Sequence, residues 1–333
     1  MQPYYHPTSI TIIDDDPIFL ESFSFYLSDD FRCHTFSYPD EGLRYIHHQE
    51  QLRHKTQHYF LENTRQADPR ETTEHNNLRL KPLHIYKGLQ STKRFERISV
   101  AIVDYDMPGM NGLDVFRQIS SCPIQKVLLT GKASIETAIG AKEDGIIDTF
   151  LMKQEHNLFN RIHSELKKLQ KNYFENIAGR VISAKCQHNI AFMEDPAFQS
   201  TFEDLVHNRQ VEEYYVSTSP TGVLMIQNDG SISFLHVNTE KELLDNIAVA
   251  EQYSAPRQLI ELLETQKVLS IFPTEGGYYR SEHEKDWNEY IWPAQQITGQ
   301  KANWYISLID NDALPDTLSG KIASYNDFLD AIY

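Results

Sequence analysis

The chain has 333 residues, enough for two domains at about 150 residues each. Its 31 Lys and Arg against 47 Asp and Glu give a formal charge of −16, which opposes unspecific attraction to nucleic-acid phosphates or anionic membranes. Three distant cysteines (Cys33, Cys122, Cys186) indicate neither a disulfide framework nor a zinc site, and no secretion signal or run of roughly 18 apolar residues is present, so a cytoplasmic, non-membrane protein is expected.

The β-branched run Ser9–Ile13 predicts a strand that ends in Asp14, Asp15 and Asp16. Pro17 and the amphipathic stretch Ile18–Leu27 then predict a helix with proline in its first turn. A second strand is expected near Cys33–Tyr38, with Asp40 capping a helix that opens with Glu41–Ile46. From His47 to Arg97 the periodicity weakens, and 10 basic residues against 6 acidic ones make the segment +4. Its part Glu62–Asn77 reads as an exposed, partly disordered insertion.

Three further strands each run into a polar residue: Ser99–Val103 before Asp104, Lys126–Leu129 before Thr130, and Asp148–Met152 before Lys153. Helical patterns at Leu113–Ile119 and Ser134–Glu143 lie between them, the alternation of a doubly wound parallel α/β sheet. Ligands of such sheets collect outside the carboxyl ends of the strands, where Asp14, Asp15, Asp104, Thr130 and Lys153 fall. The helix Leu158–Ile177 carries Ile162, Leu166, Leu169 and Tyr173 at spacings of 4, 3 and 4. That stripe suits either a linker helix (about 155–180) with a dimer seam or a final helix packed on its own sheet.

The remainder, Cys186–Tyr333, holds 8 Lys and Arg against 23 Asp and Glu, so it carries −15. A hairpin is expected from Gly222–Gln227 and Ser231–Val237 across Asn228-Asp229-Gly230, followed by a capping box of Thr239 and Glu242 opening a helix over Glu240–Glu251. Another helix at Pro256–Thr265, strands at Val268–Phe272 and Trp304–Ile309, and a last helix at Asn326–Ile332 complete an α+β domain over 181–333.

Taken in order, strand plus Asp14-Asp15, strand plus Asp104-x-x-Met107-Pro108-x-x-x-Gly112, strand plus Thr130 and strand plus Lys153 resemble the receiver domain of two-component response regulators over about residues 8–165. The resemblance implies a flavodoxin-like, doubly wound, five-stranded parallel receiver over 1–160, with a long insertion at about 48–97 and an acidic α+β output domain behind it. It also implies a Mg²⁺ ion held by Asp15, Asp104 and the backbone carbonyl of Asp106, with Asp14 behind them; gathered carboxylates need such a hard cation.

Asp104 is then the phosphoacceptor, taking its phosphoryl group from a phosphohistidine of a sensor histidine kinase, with Lys153 and Thr130 contacting the phosphoryl oxygens. Thr130 and Phe150 match the family's switch positions. Family members often form a phosphorylation-dependent homodimer through the face built here by Ser134–Glu143, Asp148–Met152 and the following helix. Two features depart from the family: Gln154 follows Lys153 where a proline is usual, and Asp104 lies 89 residues after Asp15 because of the insertion.

The layout, with Leu128-Leu129-Thr130-Gly131 and Gly145-Ile146-Ile147-Asp148-Thr149-Phe150, also resembles the Legionella quorum-sensing response regulators, implying quorum-sensing signal transduction and indirect gene regulation. The output half shows no P-loop or other enzyme signature, and its charge disfavours a DNA-binding transcription factor. A protein-binding or small-ligand module fits it best, the alternatives being a nucleotide-binding or enzymatic module and a divergent DNA-binding factor. His54 and His58, spaced i, i+4 without a third ligand, read as a solvated face. The small polar run Ser217–Gly222 can cradle a phosphate, and the aromatics Tyr278, Tyr279, Trp287, Tyr290, Trp292, Trp304 and Tyr305 read as core more readily than as a pocket.

Overall fold

The computed structural model describes the chain apart from residues 57–61, 65–76, 80–88, 132–133, 182–189, 219, 311–321 and 332–333. It divides into two compact units, one of His6–His58, Thr92–Val181 and Tyr325–Tyr333, the other of Met1–Tyr5, Tyr59–Ser91 and Ile182–Ser324.

In the first unit the apolar runs form the strands Ser9–Ile13 (β1), Cys33–Phe36 (β2), Ile98–Asp104 (β3), Gln125–Thr130 (β4) and Thr149–Met152 (β5). They pair in parallel in the order β2-β1-β3-β4-β5, a flavodoxin-like receiver sheet. β1 and β3 are buried along their whole length, as central strands covered on both faces must be. The helices are Pro17–Leu27 (α1), Pro39–Thr56 (α2), Gly112–Gln118 (α3), Ile135–Glu143 (α4) and Leu158–Val181 (α5). α1 starts where the Asp16 carboxylate accepts from the N–H groups of Ile18 and Phe19 and Pro17 occupies the first turn. α2 starts at Pro39, two residues ahead of the expected stretch, so Asp40 sits in its first turn, where it favours the helix dipole instead of capping.

The stripe expected at a dimer seam is internal. Ile162, Leu166 and Leu169 pack with Ile10, Val100, Ile102, Val127, Leu20 and Phe23 in one core, and Tyr173 is fully buried. Buried Gln170 fastens α5 to the sheet by donating to the Thr8 carbonyl at 3.0 Å and the Thr8 hydroxyl at 2.9 Å. Ile162, Leu166 and Leu169 therefore serve α5's own sheet, and α5 stays within the first unit to its end at Val181.

The second unit is α+β. Its helices are Pro196–Asn208 (α6), Glu240–Gln252 (α7) and Arg257–Glu264 (α8), and its strands are Val211–Thr218 (β6), Thr221–Gln227 (β7), Ile232–Thr239 (β8), Val268–Ser270 (β9), Ile291–Pro293 (β10), Gln295–Thr298 (β11) and Asn303–Asp310 (β12). The two-residue strand Tyr4–Tyr5 joins β6, β7, β8, β12 and β11, in that order, in an antiparallel sheet. The β7–β8 turn closes on Gly230 at φ +81°, with Asp229 accepting from the N–H and hydroxyl of Ser231. Thr239 and Glu242 form the expected reciprocal capping box. Of the aromatic run, Tyr279, Trp287 and Tyr290 pack around Phe272, and Tyr305 packs with Leu243 and Leu269, so these are core.

The boundary expected from sequence shifts at both ends of the chain. Tyr4–Tyr5 belongs to the second unit's sheet, and the helix Tyr325–Asp330 (α9) belongs to the first, where Tyr325 and Phe328 lie 5.1 and 5.5 Å from the Phe95 ring. In the insertion, Glu62–Thr64 pairs antiparallel with Asn77–Arg79, so part of a segment expected to be irregular forms a ladder. The side chains of His54 and His58 lie outside the described residues, as does Cys186; Cys33 is a free thiol. No helix among the described residues is long and apolar enough to cross a membrane.

Candidate functional site

Parallel register brings the polar strand ends to one edge. Asp14 follows β1 and donates its N–H to the Phe36 carbonyl; Asp104 ends β3 opposite Leu129 of β4; Thr130 ends β4 and accepts the Lys153 N–H at 3.1 Å through its carbonyl. Carboxylate oxygens of Asp14, Asp15 and Asp104 lie within 4.8 Å of one another. Asp14 is fully buried, Asp104 nearly so, and Asp15 exposed. The Lys153 ammonium bridges the two buried acids, 2.7 Å from Asp14 Oδ2 and 3.0 Å from Asp104 Oδ1, and lies 4.9 Å over the Phe19 ring.

Backbone amides brace both acids: the Asp16 N–H donates to Asp14 Oδ1 at 3.0 Å and the Asp106 N–H to Asp104 Oδ2 at 3.2 Å. Burial pushes the Asp14 carboxyl above its ordinary range, against the lowering effect of Lys153 and the Asp16 amide. Burial opposes the charge on Lys153, but its bonds to Asp14 and Asp104 outweigh that and raise it. Three carboxylates facing one ammonium leave an excess of negative charge with Asp15 open to solvent. That all-oxygen donor set fits a hard divalent cation that retains waters, with the Asp106 carbonyl two residues beyond Asp104.

Thr130 is fully buried and its hydroxyl donates to the Gly131 carbonyl at 3.1 Å. Register pairs Leu128 with Phe150 and Thr130 with Met152, so Thr130 and half-buried Phe150 share a face of the sheet. Gly112 is demanded by close approach: a Cβ there falls on the Asp104 carbonyl oxygen and the Leu128 side chain. Gln154, in place of proline, sits in a turn in which the Glu155 N–H donates to the Met152 carbonyl at 3.0 Å. The sequence reading missed Phe19, whose ring comes under the Lys153 ammonium only in the folded chain. The run Ser217–Gly222 forms the β6–β7 turn, with Ser217 buried and Ser219 outside the described residues.

No family model matches the sequence, and no curated protein does. The strand order and the acidic edge define a response-regulator receiver fold carrying an α+β unit. That whole architecture is the one found in the Legionella pneumophila response regulator LqsR, which superposes with a TM-score of 0.75 at 23% identity, covering 100% of this chain and 96% of that one. An adenylate cyclase from Rhodopirellula baltica matches at 22% identity and a TM-score of 0.36, over 54% of this chain and 98% of its own. A receiver domain protein from Clostridium thermocellum matches at 20% identity and a TM-score of 0.31, over 50% of this chain and 94% of its own.

Proposed function

We propose that the chain is a cytoplasmic response regulator of two-component signalling, in which Asp104 accepts a phosphoryl group from a phosphohistidine of a sensor histidine kinase. The observation that carries this reading is Lys153 bridging buried Asp14 and Asp104 beside exposed Asp15 at the carboxyl edge of a receiver sheet. An oxygen of Asp104 attacks phosphorus, the phosphorus–nitrogen bond breaks, and the bonding pair returns to the donor imidazole. Asp15, Asp104 and the Asp106 carbonyl, with Asp14 behind them, would hold a Mg²⁺ ion, which would supply charge neutralisation to the phosphoryl oxygens.

Lys153 meets the new charge by leaving Asp14 for a phosphoryl oxygen. Thr130 exchanges its bond to Gly131 for another, and Phe150, on the same face, follows it inward. α4 and β5 then change shape, and α4 carries exposed Ile139 on its surface. Phosphorylation-controlled homodimerisation uses that face, since the α5 stripe is occupied by its own core. The likeness to Legionella regulators supports quorum-sensing signal transduction, and the −15 charge of the second half supports an effect on genes that is indirect.

The test is the light-scattering mass of wild type and Asp104→Asn, each with and without Mg²⁺ and beryllofluoride. A rise to dimer mass confined to wild type is expected. A mass unaffected by beryllofluoride in wild type, with no phosphoryl uptake from acetyl phosphate, would overturn the reading.

A further inference from the structure

One group facing the Lys153 ammonium carries neither charge nor oxygen: the ring of Phe19. Lys153 follows β5, where its N–H donates to the Thr130 carbonyl at 3.1 Å, and a flexible four-carbon stem separates that anchor from the charge. Gln154 comes next, so the Lys153 backbone lacks the restriction that a proline imposes on the residue before it. The side chain is held at its far end instead. The ammonium lies 2.7 Å from Asp14, 3.0 Å from Asp104 and 4.9 Å from the centroid of the Phe19 ring. That last distance is inside the roughly 6 Å over which the negative face of a ring attracts a cation.

The ring is itself braced. The Phe19 N–H donates to the Asp16 carboxylate at 3.2 Å in the first turn of α1, and the ring stacks on that of Phe23, with centroids 5.1 Å apart and planes at 19°. Phe23 is fully buried, and its ring lies 5.8 Å from that of Phe159 on α5. Phe19 is thus packed against the core while half-buried at the site. A ring suits this place better than a third carboxylate. Phosphorylation requires the ammonium to trade Asp14 for a phosphoryl oxygen, and a further carboxylate would compete with that oxygen. A neutral ring face attracts over a range of distances, so it stays engaged as the ammonium moves.

Resting on the reading of Asp104 as the phosphoacceptor, we propose that Phe19 is a positioning residue whose ring holds the Lys153 ammonium in reach of Asp104 and so speeds phosphoryl uptake. The test has two arms, both on the full-length chain. In chelator, urea unfolding of the first unit is followed for wild type, Phe19→Leu, Lys153→Gln and the double variant. Phe19→Leu keeps apolar bulk and removes the ring face, so it should raise the unfolding constant about two- to fivefold more with Lys153 present than with Gln in its place. A side chain that only fills the core costs the same in both backgrounds. In Mg²⁺, uptake from acetyl phosphate should slow about two- to fivefold in Phe19→Leu and return to about the wild-type rate in Phe19→Tyr, which restores the ring face. Equal costs in the two backgrounds, uptake in Phe19→Leu as fast as in wild type, or slow uptake that Phe19→Tyr fails to restore would overturn the proposal and leave the phosphoacceptor standing. No uptake in wild type would overturn the phosphoacceptor reading and the effect of Phe19 on rate together, even with unequal costs showing that the ring holds the ammonium.

Discussion

Lys153 holds two buried carboxylates at once, and removing it strands them. Lys153→Met leaves Asp14 and Asp104 without their cation, and breaking buried pairs generally costs about 3–5 kcal/mol. Because the lysine side chain is 24% exposed, a loss of about 1–3 kcal/mol in urea unfolding is expected in chelator. Mg²⁺ should restore part of it, and a midpoint indifferent to Mg²⁺ would argue against a cation among these acids. The acids, the threonine and the lysine were legible in sequence because each ends an apolar β run. Phe19 was not, because its ring comes under the Lys153 ammonium only in the folded chain.

At the scale of elements, spacing alone left α5 ambiguous, since a 4-3-4 stripe packs equally well on a partner helix or on a sheet. The fully buried Leu166 resolves it. Leu166→Ala should cost about 2–5 kcal/mol of first-unit stability and leave the light-scattering mass unchanged; a mass change without destabilisation would return the stripe to an interface. β6 escaped the sequence reading for a different reason. Its buried Glu213, whose carboxylate accepts the Tyr215 hydroxyl at 2.8 Å, interrupts the apolar alternation that marks a strand. The capping box of α7 was legible because its signal is wholly local, and Thr239→Ala should lower the second unit's stability by about 1 kcal/mol, read by denaturant midpoint.

The two chain ends are exchanged between the units, which no local signal reveals: a two-residue strand has too few side chains to show a period, and α9 reads simply as a terminal helix. A cut at residue 181 should therefore damage both halves. The fragment 1–181 loses α9 from Phe95, and the fragment 182–333 loses Tyr4–Tyr5 from the edge of β6. Each should melt below the corresponding transition of the whole chain in calorimetry, and fragments as stable as their parent units would show the exchange to be incidental.

Acid should act on both units together. Burial, assisted for His34 by the Arg32 charge, lowers His34 in the first unit and His236 in the second to about 4, from an ordinary 6.5. The unfolded chain binds those protons first as pH falls, so stability is full above 6.5, declines below it and levels near 4. The slope reaches at most about 1.4 kcal/mol per pH unit for each group. Asp195 acts lower on the scale: burial raises it, but bonds from the backbone N–H groups of Ala197 and Gln300 prevail and hold it below its ordinary 3.8, so its contribution is lost only in stronger acid. Denaturant midpoints taken between pH 7 and 4 should fall for both transitions, and His236→Phe should flatten the second alone. An unchanged second slope in that variant would mean that the imidazole protonates as freely in the folded chain as in the unfolded one, and that its burial carries no electrostatic cost.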